Sequence, residues 1–444
     1  MTGGRLQSRL DGLVLEPGDE GYDEARSVWN AMIDRRPRYV VRCASAADVA
    51  AAVRYATEHE MAIGVRCGGH AITGHAVPAD GLMIDLRPLG GVTVDPLARQ
   101  ARVQGGALLG ALDRATQAHG LATTAGNVSH TGVGGLTLGG GMGWLARRLG
   151  LACDNVVSFE LVTAAGEVLR VDRTHHPDLF WGLRGGGGNF GVVTEFEFVL
   201  HPEPGHALSV EFRLPVSSAS DAMRSWRDLG VDADRRATWN ATISGSLVSL
   251  GFVWVGEPAA GAELADRLHA GLDTDAVLLQ RIVVPLSYLE LQTREDDVEG
   301  HALRRYWKGH YLSELDDAAI DAILARDGDD VPDVSLQAYG GAIADVPADE
   351  TAFARRNTAY EFIAATRWHD PAEDDRRIAG ARRYAGAVEP YAEGAYVNAL
   401  SDDGALGIRR AYPAHHLARL RELKRQYDPA NVFHLNQNIA PADV

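Results

Sequence analysis

The sequence predicts an α+β fold in two domains, and three observations predict it. A strand–helix–strand pattern and a short hairpin fill the first part of the chain, ahead of its densest glycine run. His201-Pro202-Glu203-Pro204-Gly205 then closes a long apolar strand with two prolines and a glycine, the best boundary in the chain. Beyond it the texture changes to alternating or apolar runs separated by helical segments, the pattern of an antiparallel sheet covered by helices. A chain of 444 residues is long enough for two or three such domains.

Taken in order, Ser45 to Glu60 is predicted helical. Ser45 is its N-cap, Asp48 follows three residues on, and Val49, Val53 and Ala56 form an apolar face. A strand then runs into Arg66, and Leu82 to Leu86 is another. Val92 to Val94 and Arg99 to Gln104 make a hairpin closed around Pro96, and Ala107 to Gln117 is a second helix ended by His119-Gly120. Val156 to Thr163 and Glu167 to Asp172 form a hairpin across Ala164-Ala165-Gly166, and Val192 to Leu200 is a strand. After the boundary, Ser209 to Leu214, Thr238 to Gly245, Leu247 to Val255 and Leu278 to Val284 read as strands, and so do Val331 to Gly341 and Tyr360 to Arg367. Ser217 to Leu229, Gly261 to Leu272, Ala318 to Arg326 and Arg376 to Val388 read as covering helices. His415 to Tyr427 is an amphipathic helix near the end.

Three glycine-rich stretches carry the functional signal. In Ile63 to Gly74, a strand runs into Arg66, Cys67, the pair Gly68-Gly69, and then His70, Ala71 and Gly74. Glycines permit positive φ and close approach, successive N–H groups form an anion cradle, and Arg66 adds a fixed charge, so a diphosphate is the natural guest. The second stretch, Gly132 to Trp144, holds seven glycines in its first twelve residues, interleaved with apolar ones. A flexible linker would be Ser-rich and polar; this pattern fits backbone packed against a large flat ligand. Arg184 to Thr194 repeats the idea with four consecutive glycines before a strand. A P-loop would need Gly-Lys-Ser/Thr, which is missing, and Gly141-Met142-Gly143 follows more glycine rather than a strand, against a Rossmann fingerprint. There is no Gly-x-Ser-x-Gly elbow of a hydrolase.

Composition narrows the partners. The formal net charge of −17 disfavours nucleic acid and anionic membrane, both of which need a basic face. Three cysteines, Cys43, Cys67 and Cys153, do not make a disulfide framework. No run approaches a membrane span and no signal peptide is evident, so a cytoplasmic protein is expected, as a monomer or homodimer. His175-His176, His369-Asp370 and His415-His416 lack the spacing of a metal site and read as surface or capping residues; no metal is expected.

Arg66-x-Gly-Gly-His70, then Gly132-x-Gly-Gly-(x)3-Gly-Gly-Gly-x-Gly143, then Gly-Gly-Gly-x-Asn189-Phe-Gly-Val-Val-Thr194, then Tyr396-x-Asn398 and Asn436-Gln437-Asn438 follow in this order. The set resembles the berberine bridge enzyme-like FAD-linked oxidases of the vanillyl-alcohol oxidase superfamily, over nearly the whole chain. The resemblance implies a PCMH-type FAD-binding domain at 1–204, completed by the returning tail at 400–444, and a substrate-binding domain at 206–399. It implies FAD bonded through its 8α-methyl carbon to the His70 imidazole. Relatives also use a cysteine four residues before the second glycine run; here that position is Val128, so a single bond is expected. Cofactor contacts are expected from Arg66, Cys67, Gly68, Gly69, His70, Ala71 and Gly74 in the first run. Asn127, Val128, Thr131, Gly132, Gly135, Leu136, Gly139, Gly140 and Gly143 supply those of the second. Val193, Tyr396, Asn436 and Asn438 complete the set.

Thr131 stands where the family commonly has Val or Leu beside the flavin C4a edge, a position that influences oxygen access. His130 beside it either faces the flavin or is a hydrogen-bonded structural histidine. Tyr396, with Asn398, is expected over the flavin as the base that deprotonates a substrate hydroxyl or amine. Its phenol then needs a lowered pKa, for which Arg305, Tyr306 and Lys308 in a facing strand are candidates. The implied activity is hydride transfer from a small molecule to flavin, with dioxygen as reoxidant and hydrogen peroxide as product. The alternatives are a dehydrogenase using another acceptor, or a flavin-loaded protein that binds a metabolite without turnover.

Overall fold

The computed structural model describes residues 3–272, 277–296 and 302–443. The ends of the expected FAD-binding unit and parts of 206–399, at 273–276 and 297–301, lie outside the described residues.

Residues up to 203 make three small sheets. The first orders Leu13–Leu15, Tyr39–Arg42, Leu82–Asp85 and Ile63–Arg66, with the last three parallel. The helix Ala46–Glu58 carries the chain across from Tyr39–Arg42 to Ile63–Arg66, and Leu82–Asp85 then fills the place between them. Its N-cap is Ser45, whose side chain accepts from the Asp48 N–H at 3.2 Å. The second sheet is antiparallel, ordered Val92–Asp95, Gln100–Gln104, Val192–Val199, Val156–Val162 and Val168–Asp172. Both expected hairpins are therefore present at their outer edges. The proline-rich boundary is no loose linker: His201–Pro202 pairs with Leu121–Ala122 in a two-stranded ladder.

The later residues build one seven-stranded antiparallel sheet. Its order is Gln280–Ser287, His206–Pro215, Leu247–Val255, Ala237–Ser244, Asp333–Ala338, Tyr360–Trp368, Arg304–Leu312. Ser220–Gly230, Pro258–Leu272, Asp317–Leu324 and Asp374–Val388 are helices, and side chains from all four join sheet residues such as Trp239 and Phe252 in one apolar core. Strand alternation turns the remaining positions the other way. There Gln337 pairs with Glu361 and Ser335 with Ile363.

The tail returns to the first part of the chain. In the helix Ala414–Tyr427, the fully buried Lys424 donates to the Asn189 carbonyl at 2.7 Å and to that of Phe433 at 2.9 Å, and pairs with Asp428 at 2.6 Å. Asn436 donates to the Gly188 carbonyl at 3.0 Å. The second glycine run contains a helix, Val133–Leu138. A Cβ on Gly143 would lie 2.0 Å from the Ala125 carbonyl oxygen, one on Gly139 2.3 Å from Asn398, and one on Gly140 2.7 Å from Phe353. These three glycines admit the chain's own backbone and side chains, not a ligand.

Candidate active site

A cavity of about 490 Å³ lies between the glycine loops and the seven-stranded sheet. Its first wall is mostly backbone: Cys67 to Ala71 after the strand Ile63–Arg66, Thr131 to Leu136 at the start of the glycine-rich helix, and Gly187 to Val193 beside Asn436. Gly68 and Gly132 touch so closely that a Cβ on either would lie 2.3 Å from the other's nitrogen. Gly135 and Gly188 have nothing within 4 Å of a built Cβ and leave room open beside the cavity. Among the lining residues, Asn127 Oδ1, Gln337 Nε2 and Asn436 Oδ1 are buried with no hydrogen-bond partner in the chain. Buried polar atoms are costly unpaired, so a polar guest belongs here. A long channel edged by bare backbone and orphaned amides fits a dinucleotide.

His70 lies on this wall. Its Nε2 is 2.7 Å from His130 Nδ1, its Nδ1 is 3.4 Å from Thr131 Oγ1, and Trp29 stacks on its ring at 4.7 Å. His130 itself does not line the cavity. The Cys67 thiol contacts the Ala107 carbonyl, and burial pushes its pKa up to about 11, consistent with packing.

The opposite wall is made of side chains: Trp307, Ser335, Gln337, Glu361 and Ile363 from three neighbouring strands. Glu361 accepts from the Tyr339 hydroxyl at 2.9 Å, and burial raises its carboxyl to about 7. Asn127 donates to Gln337 at 2.9 Å and ties the two walls together. Tyr396 and Asn398 close the end. The Tyr396 oxygen accepts from the Gly141 N–H at 2.9 Å and from the Asn398 amide at 3.0 Å.

Several expected positions stand elsewhere. Arg66 is buried, and its guanidinium donates to the Ala25 carbonyl instead of entering the cradle; burial lowers its pKa to about 10. Gly74 makes a turn at φ +63° against Ile33. The Val128 carbonyl accepts the Thr131 N–H at 3.1 Å. Val128, Gly139, Gly140, Gly143 and Asn438 are not on the cavity wall. Tyr306 also faces away: its hydroxyl donates to Asp402 at 2.8 Å and accepts from Arg382 at 3.0 Å. Arg305 lies under Trp29 and Lys308 pairs with Asp402 and Asp403, so neither supplies a cation to Tyr396. Burial raises the Tyr396 pKa, the reverse of what a phenol base needs.

Sequence reasoning missed Glu361, Gln337, Ser335 and Trp29. The one sequence signal was for Glu361, a carboxylate standing between Tyr360 and the apolar Phe362-Ile363-Ala364-Ala365 of an expected strand. His416, expected at the surface, is buried against Trp181 and comes together with His415 and Asp349 in a group with metal-ligating atoms; none of the three lines the cavity. No helix among the described residues is long and apolar enough to cross a membrane.

Comparison with known proteins agrees with this geometry. Residues 37–172 match the FAD binding domain family, and residues 395–440 match the berberine and berberine-like family. The chain is 30% identical to (R)-6-hydroxynicotine oxidase of Paenarthrobacter nicotinovorans, over 97% of each chain. It is 29% identical to the uncharacterized FAD-linked oxidoreductase YvdP of Bacillus subtilis, over 98% of this chain and 99% of that one. The crystal structure of 6-hydroxy-D-nicotine oxidase from Arthrobacter nicotinovorans superposes with a TM-score of 0.87 at 28% identity, covering 98% of each chain. The chain belongs to the berberine bridge enzyme-like family of FAD-linked oxidoreductases.

Proposed function

We propose that this protein is an FAD-dependent oxidase. It takes a hydride from a carbon bearing a hydroxyl or amine group on a small molecule such as an alcohol, sugar, amine or secondary metabolite, and hands the electrons to dioxygen to give hydrogen peroxide. FAD supplies the hydride acceptor, and the protein supplies position and proton transfer. The observation that carries the reading is Glu361: a carboxyl tuned by burial to about 7, in the cavity, facing the backbone wall. A base in that range accepts a hydroxyl or ammonium proton near neutral pH. Tyr396 is better suited to orient substrate than to act as the base, since its oxygen already accepts two hydrogen bonds and its pKa is raised.

On this reading His70 carries the flavin through one imidazole bond, and Val128, which has no thiol, makes no second one. The glycine loops up to 204 and the tail from 400 form the FAD-binding unit, and 206–399 forms the substrate unit; the contacts of Lys424 and Asn436 with the third glycine run support that division. Three free cysteines support a reducing compartment, and we assign the protein to the cytoplasm as a monomer or homodimer. A dehydrogenase using another acceptor is the second reading, favoured by Thr131 at the oxygen-access position. Anaerobic mixing with a panel of alcohols, sugars and amines tests the proposal. A substrate should bleach the flavin band, and admission of air should restore it with peroxide; bleaching that air does not reverse favours the dehydrogenase. A panel that shifts the spectrum without bleaching leaves a binding protein.

A further inference from the structure

We propose that His130 is a positioning residue for His70: it fixes the reactive tautomer and takes the proton His70 loses as flavin becomes attached. The proposal rests on the reading of His70 as the attachment residue. The first observation is the 2.7 Å contact between His70 Nε2 and His130 Nδ1, short for a nitrogen–nitrogen hydrogen bond. Two imidazoles share such a bond only if one donates and the other accepts. With Nε2–H of His70 donating, the lone pair of His70 is on Nδ1, and Nδ1 is the nucleophile. The second observation is that the pair is held. Trp29 stacks on His70 with an interplanar angle of 17°, the backbone N–H of Trp29 donates to the Gly69 carbonyl at 3.0 Å, and the Arg305 guanidinium packs 4.0 Å from the Trp29 ring centre. On the other side, Ser129 donates to Asp296 at 2.6–2.7 Å and anchors the loop that carries His130. The third observation is that His70 lines the cavity and His130 does not. His130 therefore acts through His70 rather than on substrate. A partner that fixes which ring nitrogen carries the proton is the usual way a protein sets the nucleophilicity of the other.

The step balances as follows. A bond forms between His70 Nδ1 and the 8α carbon of the flavin, and one C–H bond there breaks. That proton leaves to water, while the Nε2 proton of His70 passes to His130 Nδ1. The two electrons of the C–H bond reduce the ring and pass to dioxygen, which with the two protons becomes hydrogen peroxide. His130 releases its own Nε2 proton to solvent, which supplies the second proton of the peroxide, and keeps the one on Nδ1 to donate back to the bare Nε2 of the linked ring, so the same contact holds the product.

The test uses the full chain prepared free of flavin. FAD is added, and covalent flavin is followed over time as fluorescence of the protein band on a denaturing gel. Wild type should acquire the band, and His70→Ala should not. His130→Ala should bind FAD but attach it about 10²-fold or more slowly, the range for loss of a proton-transfer partner. Added imidazole should restore part of the rate, and His130→Gln, which keeps an acceptor but takes up no proton, should fall between. Attachment in His130→Ala at the wild-type rate overturns the proposal. A slowed rate that neither imidazole nor His130→Gln improves also overturns it, since that marks a packing defect. Flavin released from denatured wild type overturns the attachment reading itself, which distinguishes the two failures.

Discussion

On one side of the cavity the chain presents backbone, and on the other it presents side chains. The first side is built where Gly68 meets Gly132 and where Gly135 and Gly188 leave open space; a Cβ on either of the first two would collide with the protein, and one on either of the others meets nothing in the chain. The second side is a sheet face on which Ser335, Gln337, Glu361 and Ile363 stand at alternating positions, and a β-strand accepts almost any side chain at such positions. The constraint on the first side is steric and local, so it shows in sequence as glycine. That on the second is chemical, and it shows only when the register of neighbouring strands is known. On the proposed function, one side fixes what is bound, and the other fixes what is done to it.

Substitutions that affect one side alone sharpen this contrast. The largest effect should come from Glu361→Gln. Flavin reduction by substrate should slow about 10²- to 10⁴-fold, as for loss of a general base, with cofactor content unchanged. Stopped-flow absorbance checks it. In the native protein the reduction rate should rise as pH climbs through about 7, because the carboxyl must be ionised to accept a proton; the variant should lose that inflection. Gly132→Ala strikes the other side. Its Cβ would lie 2.3 Å from Gly68 N and 2.5 Å from Cys67 Sγ, so the loops must part. A stability loss of about 1–3 kcal/mol, with loss of bound flavin, is expected in thermal melts and absorbance. Gly135→Ala is the control: its Cβ meets nothing in the chain and it lies in the helix Val133–Leu138, so apoprotein should melt at or slightly above wild type while FAD binding weakens.

A contact between the helices Leu109–Gln117 and Tyr288–Thr293, away from the cavity, offers a pH test. Asp113 is buried, accepts from Gln292 at 3.0 Å, and is raised by burial to about 7; Gln292 also donates to the Gly126 carbonyl. The folded protein holds this proton where the unfolded chain releases it. Stability therefore falls as pH rises from about 4 to about 7. Glu361 adds to the same slope, so Asp113→Asn should lessen it and raise stability at pH 8 by roughly 1–4 kcal/mol in urea titrations. The smallest effect should be Tyr306→Phe. It removes the bond to Asp402, worth about 1 kcal/mol, and should leave flavin reduction within twofold, since Tyr306 is outside the cavity.

Most of the architecture was legible, and the reasons are physical. Ser45 capped the helix it was expected to cap, and the hairpins at Pro96 and Gly166 formed because turn chemistry is local. The glycine wall was legible through Gly68, Gly69, Gly132 and Gly135, although Gly139, Gly140 and Gly143 looked the same in sequence and serve close approach of the chain to itself. Arg66 was misread because a guanidinium reaches far enough to turn away from its own loop. Tyr306 was misread because one residue's shift along a strand changes the face. Trp29 was invisible because its importance comes from its contact with His70, distant in sequence, and Glu361 showed only as a polar residue in an otherwise apolar strand start, its contact with Tyr339 hidden.

Absorbance of the purified protein before and after acid precipitation tests the central claim most directly. The native protein should show a flavin band, and the colour should stay in the pellet. Yellow supernatant over a white pellet, or a protein that is colourless even when supplied with FAD, would contradict it.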